Sequence, residues 1–227
     1  MRQNARRGSG PRRAQERPPR ALAPEQIERI VAVLRAAGPE RERDALLVSL
    51  MAYAGLRPGE ALALRPCDVE KNTIHVERAI ALGEEKGTKT GVVRVTAALG
   101  GLPEMVAAWA ATRSIPPEGY LFAAGDGQPW SESAYRNWRR RVFQPAAEAA
   151  GLGRVRPYSL RHSWASLQLH AGRDAATTAK QAGDSVETFL RYYAHEIEEW
   201  SNHASEDPDQ AIARARADVG RWMPDET

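Results

Sequence analysis

The sequence is poor in cysteine and has no long apolar run, and each shortage excludes a class of protein. Its 227 residues include one cysteine, Cys67, so an internal disulfide is impossible and a reducing compartment is expected. No apolar run approaches the roughly 18 residues that span a bilayer. The N-terminus also has no apolar stretch typical of a signal peptide. We therefore predict a cytoplasmic protein without a membrane partner.

Several catalytic motifs are also missing from the sequence. It contains no CxxC pair, no HExxH, no GxxxxGK loop and no GxSxG elbow. His195 and His203 are eight residues apart, which is not a spacing of metal ligands, and we interpret both as surface residues. The missing motifs support neither a zinc site nor a phosphate-binding loop. We expect no metal, no cofactor and no small-molecule substrate.

The charge is small overall but unevenly distributed. The formal net charge is +3, with an excess of six positive charges in residues 1–20 and of six negative charges in residues 196–227. A basic arm on a mildly basic body is compatible with a polyanionic partner, although solvated tails have the same composition. We expect a disordered Arg/Pro-rich arm over 1–22 and one catalytic domain over 23–196. Over the acidic tail, 197–227, a helix and a partly ordered segment are both open.

Apolar periodicity predicts a mostly α-helical domain with one small sheet. Helical spacing begins at Pro24, continues in a second helix over about 41–54, and returns in a short third helix from Pro58. Alternation around Ile74 and Val76, followed by a valine-rich run at 92–95, predicts a single antiparallel hairpin. Four side chains are predicted to cap later helices, the last of which ends near His195: Ser131, Ser159, Asp174 and Ser185. The first of these helices is expected to be long, over about 132–150, with a buried apolar stripe of Tyr135, Trp138, Val142 and Phe143.

Two arginines lie in apolar sequence, where an unpaired charge is costly. Arg57 lies at a helix junction, with Glu60 one turn further on. Arg161 lies near the start of a helix whose apolar side carries Trp164. Each arginine can belong to an ion pair that only stabilises the fold. Alternatively, both bind one phosphodiester, because a guanidinium matches phosphate oxygens bidentately.

Four segments resemble, in order and spacing, the signature boxes of the tyrosine recombinase (phage integrase) family. AYAGLRPGEALAL over 52–64 is similar to the first-arginine box, and GTKTGVVRV over 87–95 resembles the hairpin that carries the family's lysine. YSLRHSWAS over 158–166 resembles the second-arginine box. GDSVETFLRYYAH over 183–195 resembles the final box, in which the nucleophile lies nine residues after Gly-His. The resemblance implies the catalytic-domain fold of DNA breaking-rejoining enzymes.

The resemblance implies a role for each matching residue. Tyr193 is expected to attack the phosphorus and form a 3′-phosphotyrosyl bond, and it fits the spacing better than Tyr192. Arg57 and Arg161 are expected to bind the non-bridging oxygens. Lys89, with Lys86 as an alternative, is expected to protonate the leaving 5′-oxygen. Two further residues are expected to support the site: Glu60 and His162.

Two positions depart from the family pattern. Tyr158 stands where the family usually has a histidine, and a tyrosine is a poor base at neutral pH. Asp184 stands where the family usually has a hydrogen-bond donor to the phosphate, and a carboxylate only accepts hydrogen bonds. Three alternatives follow: Asp184 points away, is kept protonated, or impairs strand cleavage.

The resemblance favours a site-specific recombinase that acts on double-stranded DNA and self-associates on it. A catalytically impaired DNA-binding protein or truncated remnant of the same fold is the alternative, and a helical interaction module is a third. Because only 23 residues precede Pro24, we expect no counterpart of the family's N-terminal core-binding domain. In the family, a C-terminal segment often docks on a neighbouring protomer. Three residues in this chain are candidates for that contact: Ile212, Val219 and Trp222.

Overall fold

A computed structural model describes residues 21–81, 83–87, 93–125, 127–200 and 206–222, with only the backbone over 195–200. Ten α-helices and four short strands lie within these ranges. The helices are α1 Pro24–Ala36, α2 Glu42–Tyr53, α3 Pro58–Leu62, α4 Leu102–Thr112, α5 Glu132–Trp138, α6 Gln144–Ala149, α7 Tyr158–His170, α8 Ala175–Ala182, α9 Val186–Trp200 and α10 Pro208–Trp222. The strands are β1 Thr73–Val76, β2 Arg78–Ala81, β3 Glu84–Gly87 and β4 Arg94–Ala97.

The core forms where α2 and α7 pack against each other. Every residue of α2 from Asp44 to Tyr53 is buried, as is most of α7, so both helices are surrounded by protein on nearly all sides. Trp164 of α7 is the largest fully buried side chain. The arginine and histidine that follow Leu160 are therefore carried on a helix with little freedom to move. Among the described helices, none is long and apolar enough to cross a membrane.

The small sheet consists of two antiparallel pairs rather than the single hairpin that the sequence predicts. β1 pairs with β4, with Ile74 opposite Thr96, and β2 pairs with β3, with Ile80 opposite Glu85. The second pair was missed because β3 is exposed along its whole length and has no apolar alternation. Its pairing rests on backbone hydrogen bonds, which leave no signature in side-chain polarity.

Helix capping follows the sequence at three of four predicted positions. Backbone amides donate to the side chains of Ser131, Asp174 and Ser185 at the starts of α5, α8 and α9. The prediction for Ser159 is wrong, because α7 already begins at Tyr158 and the Ser159 side chain lies inside the first turn. The predicted end of the last capped helix near His195 is also wrong, since α9 continues to Trp200.

The predicted long helix over 132–150 is continuous but not uniform. A π-helical turn, Arg139–Phe143, joins α5 to α6. Trp138 and Phe143 of the predicted apolar stripe are buried and stack with ring centroids 5.5 Å apart. The wider turn brings these two aromatic side chains to the same side although they are five residues apart.

Helix α10 packs on α1 of the same chain. Ile212 is fully buried in the main core, and the backbone amide of Gly100 donates to Asp209 Oδ1 at 2.5 Å. Arg216 donates through Nε to Glu28 Oε1 at 3.1 Å and through Nη1 to the Gly100 carbonyl at 2.6 Å. The C-terminal segment was a candidate for docking on a neighbouring protomer. In this structure it packs on its own chain instead.

Candidate active site

Arg57 is fixed at the first turn of α3. It is the residue before Pro58, and its extended backbone lets the side chain turn back over the helix start. Glu60 Oε2 accepts from the Arg57 backbone amide at 2.8 Å, and Glu60 Oε1 accepts from Arg57 Nη1 at 2.9 Å. Burial alone would lower the pKa of Arg57, but the charges of Glu60 and Asp184 raise it above its ordinary value. Arg57 is therefore a permanent, oriented cation with 35% of its side chain exposed.

Arg161 is the buried partner of Arg57 and is only 3% exposed. Its Nη1 donates to the Gly55 carbonyl at 2.6 Å, and its Nη2 donates to the Ala182 carbonyl. Gly55 has a φ of +64°, and a Cβ there would lie 2.6 Å from the ring of Trp164. A glycine is therefore needed for the chain to bring this carbonyl over α7.

Asp184 bridges the two arginines. Its Oδ1 accepts from Arg57 Nη2 at 2.7 Å, and its Oδ2 accepts from Arg161 Nη2 at 2.9 Å. Asp184 follows Gly183, which ends α8 with a φ of +68° and directs the next residue back toward α3. Of the alternatives raised by the sequence, the one in which Asp184 points away is wrong. Its carboxylate lies where two guanidinium groups converge on a single anion.

Arg94, at the start of β4, is a member of this cluster that the sequence analysis missed. It donates to both oxygens of Glu60, from Nη1 at 2.8 Å and from Nη2 at 2.6 Å. Its neighbours Val93 and Val95 are exposed, so the valines face outward and the arginine inward, which reverses the usual reading of a strand. The available signal was a charge within an apolar run, which is the feature by which the sequence also indicates Arg57 and Arg161.

The three tyrosines of the candidate site surround His162. The hydroxyl of Tyr193 is hydrogen-bonded to His162 Nδ1, and Tyr193 is only 5% exposed. Tyr158 is exposed and meets the His162 ring edge-on, with centroids 5.0 Å apart. Tyr192 is 41% exposed, with its ring centroid 6.1 Å from that of His162. Helix α9 thus presents one tyrosine inward and the next outward.

Burial and the nearby charge of Arg161 lower the pKa of His162 to about 4. Its imidazole is therefore neutral at physiological pH, and one ring nitrogen is free to accept a hydrogen bond. Nε2 of His162 is buried and has no hydrogen-bond partner among the described residues. Among the described residues, the polar contact of the His162 ring is therefore its hydrogen bond with Tyr193.

The predicted general acid, Lys89, lies outside the described residues. Its alternative, Lys86, is exposed on β3 opposite Ala79. The side chain of His195, which ends the final box, is also outside the described part of the chain. The structure brings the predicted site residues together in two groups. One group contains Arg57, Glu60, Asp184 and Arg161, and the other contains Tyr158, His162 and Tyr193. Helix α7 connects the groups, because it carries both Arg161 and His162.

Comparison with known proteins assigns the chain to a family. Residues 20–199 match the sequence profile of the phage integrase family, and the chain belongs to that family. It is 29% identical over 195 residues to tyrosine recombinase XerC of Roseiflexus sp. (strain RS-1), covering 82% of this chain and 57% of the relative. It is 30% identical over 169 residues to tyrosine recombinase XerA of Thermococcus kodakarensis, covering 74% of this chain and 55% of the relative. The chain thus spans little more than half the length of these relatives.

Solved structures confirm the fold. The chain superposes on a XerA recombinase with a TM-score of 0.60 and 21% identity, over 96% of this chain and 68% of the other. It superposes on the Tn1549 transposon integrase, solved with circular intermediate DNA, with a TM-score of 0.66 and 18% identity. That match covers 92% of this chain and 68% of the other. The mainly α fold with a small antiparallel sheet is therefore that of tyrosine recombinase catalytic domains.

Proposed function

We propose that this chain is a site-specific DNA recombinase that cleaves and rejoins strands through a 3′-phosphotyrosyl intermediate. The observation that carries the proposal is the convergence of Arg57 and Arg161 on the two oxygens of one carboxylate. A phosphodiester presents two non-bridging oxygens in a similar way, so the same two guanidinium groups fit it as a bidentate ligand.

In the proposed reaction the Tyr193 oxygen attacks the phosphorus and loses its proton to solvent water. The bond from phosphorus to the 5′-oxygen breaks, and that oxygen takes a proton from Lys89. Arg57 and Arg161 stabilise the charge that develops on the non-bridging oxygens. The covalent link retains the energy of the phosphodiester, so attack by a 5′-hydroxyl reverses the steps without a cofactor.

Two structural features define what must change before this reaction occurs. Asp184 accepts hydrogen bonds from both arginines, at the position proposed for the phosphate, and Tyr193 is buried against His162. Asp184 has to share or leave the two arginines, and Tyr193 has to turn toward the phosphorus. The same features favour a second candidate function, a DNA-binding protein of recombinase fold that no longer cleaves.

Double-stranded DNA is the proposed partner, with self-association on the DNA. Several exposed arginines have no ion-pair partner among the described residues: Arg136, Arg139, Arg140, Arg141, Arg154, Arg156 and Arg173. Arg154 and Arg156 lie in the segment that leads into Tyr158, so they flank the candidate site. Such side chains can bind backbone phosphates without sequence preference. We also propose a cytoplasmic location, because the single cysteine, Cys67, permits no internal disulfide.

A covalent-capture experiment tests the proposal without knowledge of the target site. Duplexes of random sequence carry a bridging 5′-phosphorothiolate, whose thiolate leaves readily and religates poorly. The chain is expected to form complexes that survive boiling in detergent, and sequencing of the captured DNA reports the preferred site. Tyr193→Phe is the matched control. Salt-sensitive DNA binding without any covalent complex would support the second candidate function instead.

A further inference from the structure

Arg94 ties three elements together behind the two arginines of the candidate site. Its side chain is 9% exposed, and besides its two bonds to Glu60 it donates from Nε to the Gln181 carbonyl at 2.8 Å. It therefore connects β4 to α3 and to the last turn of α8. A Cβ on Gly183 would lie 2.9 Å from Arg94 Cδ, so the chain before Asp184 passes directly over this side chain.

Glu60 is shared between Arg94 and Arg57. Each carboxylate oxygen accepts one bond from Arg94 and one from Arg57. Although burial would raise the pKa of Glu60, hydrogen bonds and charge from Arg94, together with the charge of Arg57, lower it below its ordinary value. Glu60 is thus a permanent anion, and Arg57 is not its sole counter-ion.

The balance of charge in the cluster depends on Arg94. Three guanidinium groups, of Arg57, Arg94 and Arg161, face two carboxylates, of Glu60 and Asp184, and leave a net charge of +1. Without Arg94, the carboxylates would cancel Arg57 and Arg161 completely. A phosphodiester carries one negative charge, so it would then enter a neutral site that already holds two anions.

We propose that Arg94 is a positioning residue that neutralises Glu60 and gives the phosphate site its net positive charge. Arg57 and Arg161 can then bind an anion even though Asp184 is present. This inference rests on the proposed function, because it assigns the cluster a phosphate ligand. It predicts that the effect of losing Arg94 depends on the number of carboxylates in the cluster.

Charge-compensating variants test the proposal. Inorganic phosphate is the probe, and its dissociation constant is measured by NMR titration at constant ionic strength. Arg94→Met is expected to weaken binding by about tenfold, as loss of a unit charge a few ångström away implies at a partly screened site. The double variant Arg94→Met/Asp184→Asn again has a net charge of +1, and its affinity is expected within about threefold of the wild type.

Further variants separate charge from structural support. Arg94→Lys keeps the charge and loses the paired bonds to Glu60, so its phosphate affinity should stay close to the wild type. Arg94→Met/Glu60→Gln also restores +1 and leaves no buried carboxylate without its partner. If Arg94 served only to hold β4 to α3, Asp184→Asn would not rescue Arg94→Met, and that result would overturn the proposal. Unchanged phosphate affinity in Arg94→Met would overturn it equally.

The outcome is separable from that of the proposed function. The same variants are compared for covalent capture on the phosphorothiolate duplexes, with the half-saturating DNA concentration and the maximal rate measured separately. A charge effect on phosphate entry should raise the half-saturating concentration in Arg94→Met and restore it in the double variant with Asp184→Asn. If the wild type forms no covalent complex while the phosphate affinities follow the pattern above, strand cleavage is refuted and the role of Arg94 stands.

Discussion

The hydroxyl of Tyr193 is hydrogen-bonded to Nδ1 of His162, across the interface of α9 with α7. The contact holds the expected nucleophile inside the protein while its neighbour Tyr192 is exposed. Because the His162 ring is neutral at physiological pH, it can accept this hydrogen bond and hold the tyrosine in its buried position. The choice between the two tyrosines is therefore open to a direct test.

Tyr193→Phe should abolish the covalent complex and leave DNA affinity within about twofold of the wild type, because only the attacking oxygen is lost. Tyr192→Phe is the matched control and should retain the complex. Denaturing gels with labelled phosphorothiolate duplex report the first quantity, and fluorescence anisotropy reports the second. A complex that persists in Tyr193→Phe and vanishes in Tyr192→Phe would identify Tyr192 as the nucleophile.

The pH dependence of stability should carry the signature of His162. Its pKa is about 4 in the folded protein, against about 6.5 in an unfolded chain. A lowered pKa means that folding excludes a proton, so this contribution is present above pH 6.5 and is lost as the pH falls toward 4. The free energy of unfolding should fall by up to about 3 kcal/mol over that window on account of this group.

Urea titrations at neutral and mildly acidic pH measure the loss. His170 also has its pKa lowered to about 4 by burial, so the matched comparison is His162→Gln, in which the loss should be smaller but not zero. An NMR titration of the His162 ring provides the direct check. A midpoint near 6.5 would show that the ring is more exposed than the structure has it.

The role of Lys89 can be tested by its chemistry rather than its position. A general acid matters when the leaving group is a poor one, as a 5′-alkoxide is. Lys89→Ala should slow covalent capture on an ordinary phosphodiester by about a hundredfold or more, and a bridging phosphorothiolate should remove most of that defect. Lys86→Ala is the control, and a selective rescue of Lys86→Ala would assign the role to Lys86.

Sequence patterns predicted the fold better than the inner contacts of the site. The mostly helical architecture and three caps follow from periodicity and local hydrogen bonding, which are properties of short segments. The pairing of β2 with β3 is local but leaves no apolar alternation in the exposed strand β3. The position of Arg94 depends on long-range contacts, such as the bond from Arg94 to the Gln181 carbonyl. Such contacts join residues that are far apart in sequence, so the periodicity of one segment cannot predict them.

The Asp184 side chain shows the same division between local and long-range information. The sequence identified it as an unusual residue for its position, and left its direction open. Its direction is set by the left-handed backbone of Gly183 together with two arginines that precede it by 127 and 23 residues. Only the folded chain brings the carboxylate between the two guanidinium groups.

Helix α10 provides a prediction about folding that is independent of catalysis. Ile212 is fully buried against the core, so Ile212→Ala should lower the free energy of unfolding by about 2–4 kcal/mol. Val219→Ala, at a half-buried position of the same helix, should cost less than about 1 kcal/mol. Urea denaturation at two protein concentrations measures both variants. A dependence of the Ile212→Ala effect on protein concentration would show that α10 docks on a neighbouring protomer in solution.

The last prediction concerns the charge at position 184. Asp184 donates nothing to an incoming phosphate and places a negative charge beside it, so the wild-type chain should cleave slowly. Asp184→Leu removes the charge, keeps the approximate shape and has no hydrogen-bond donor, whereas Asp184→His removes the charge and adds a donor in either protonation state. We expect Asp184→His to accelerate covalent capture by at least about tenfold, and Asp184→Leu to give a smaller gain.

The comparison of these two substitutions separates repulsion from the missing donor. The maximal rate of covalent capture is measured at saturating phosphorothiolate duplex and neutral pH, with thermal unfolding as a check that both variants fold. Equal gains in the two variants would mean that the negative charge is the whole obstacle. No gain in either would mean that Asp184 leaves the arginines once DNA is bound. The donor to the phosphate would then have to be another group, and Tyr158 is the candidate, because it is exposed on α7 one turn before Arg161.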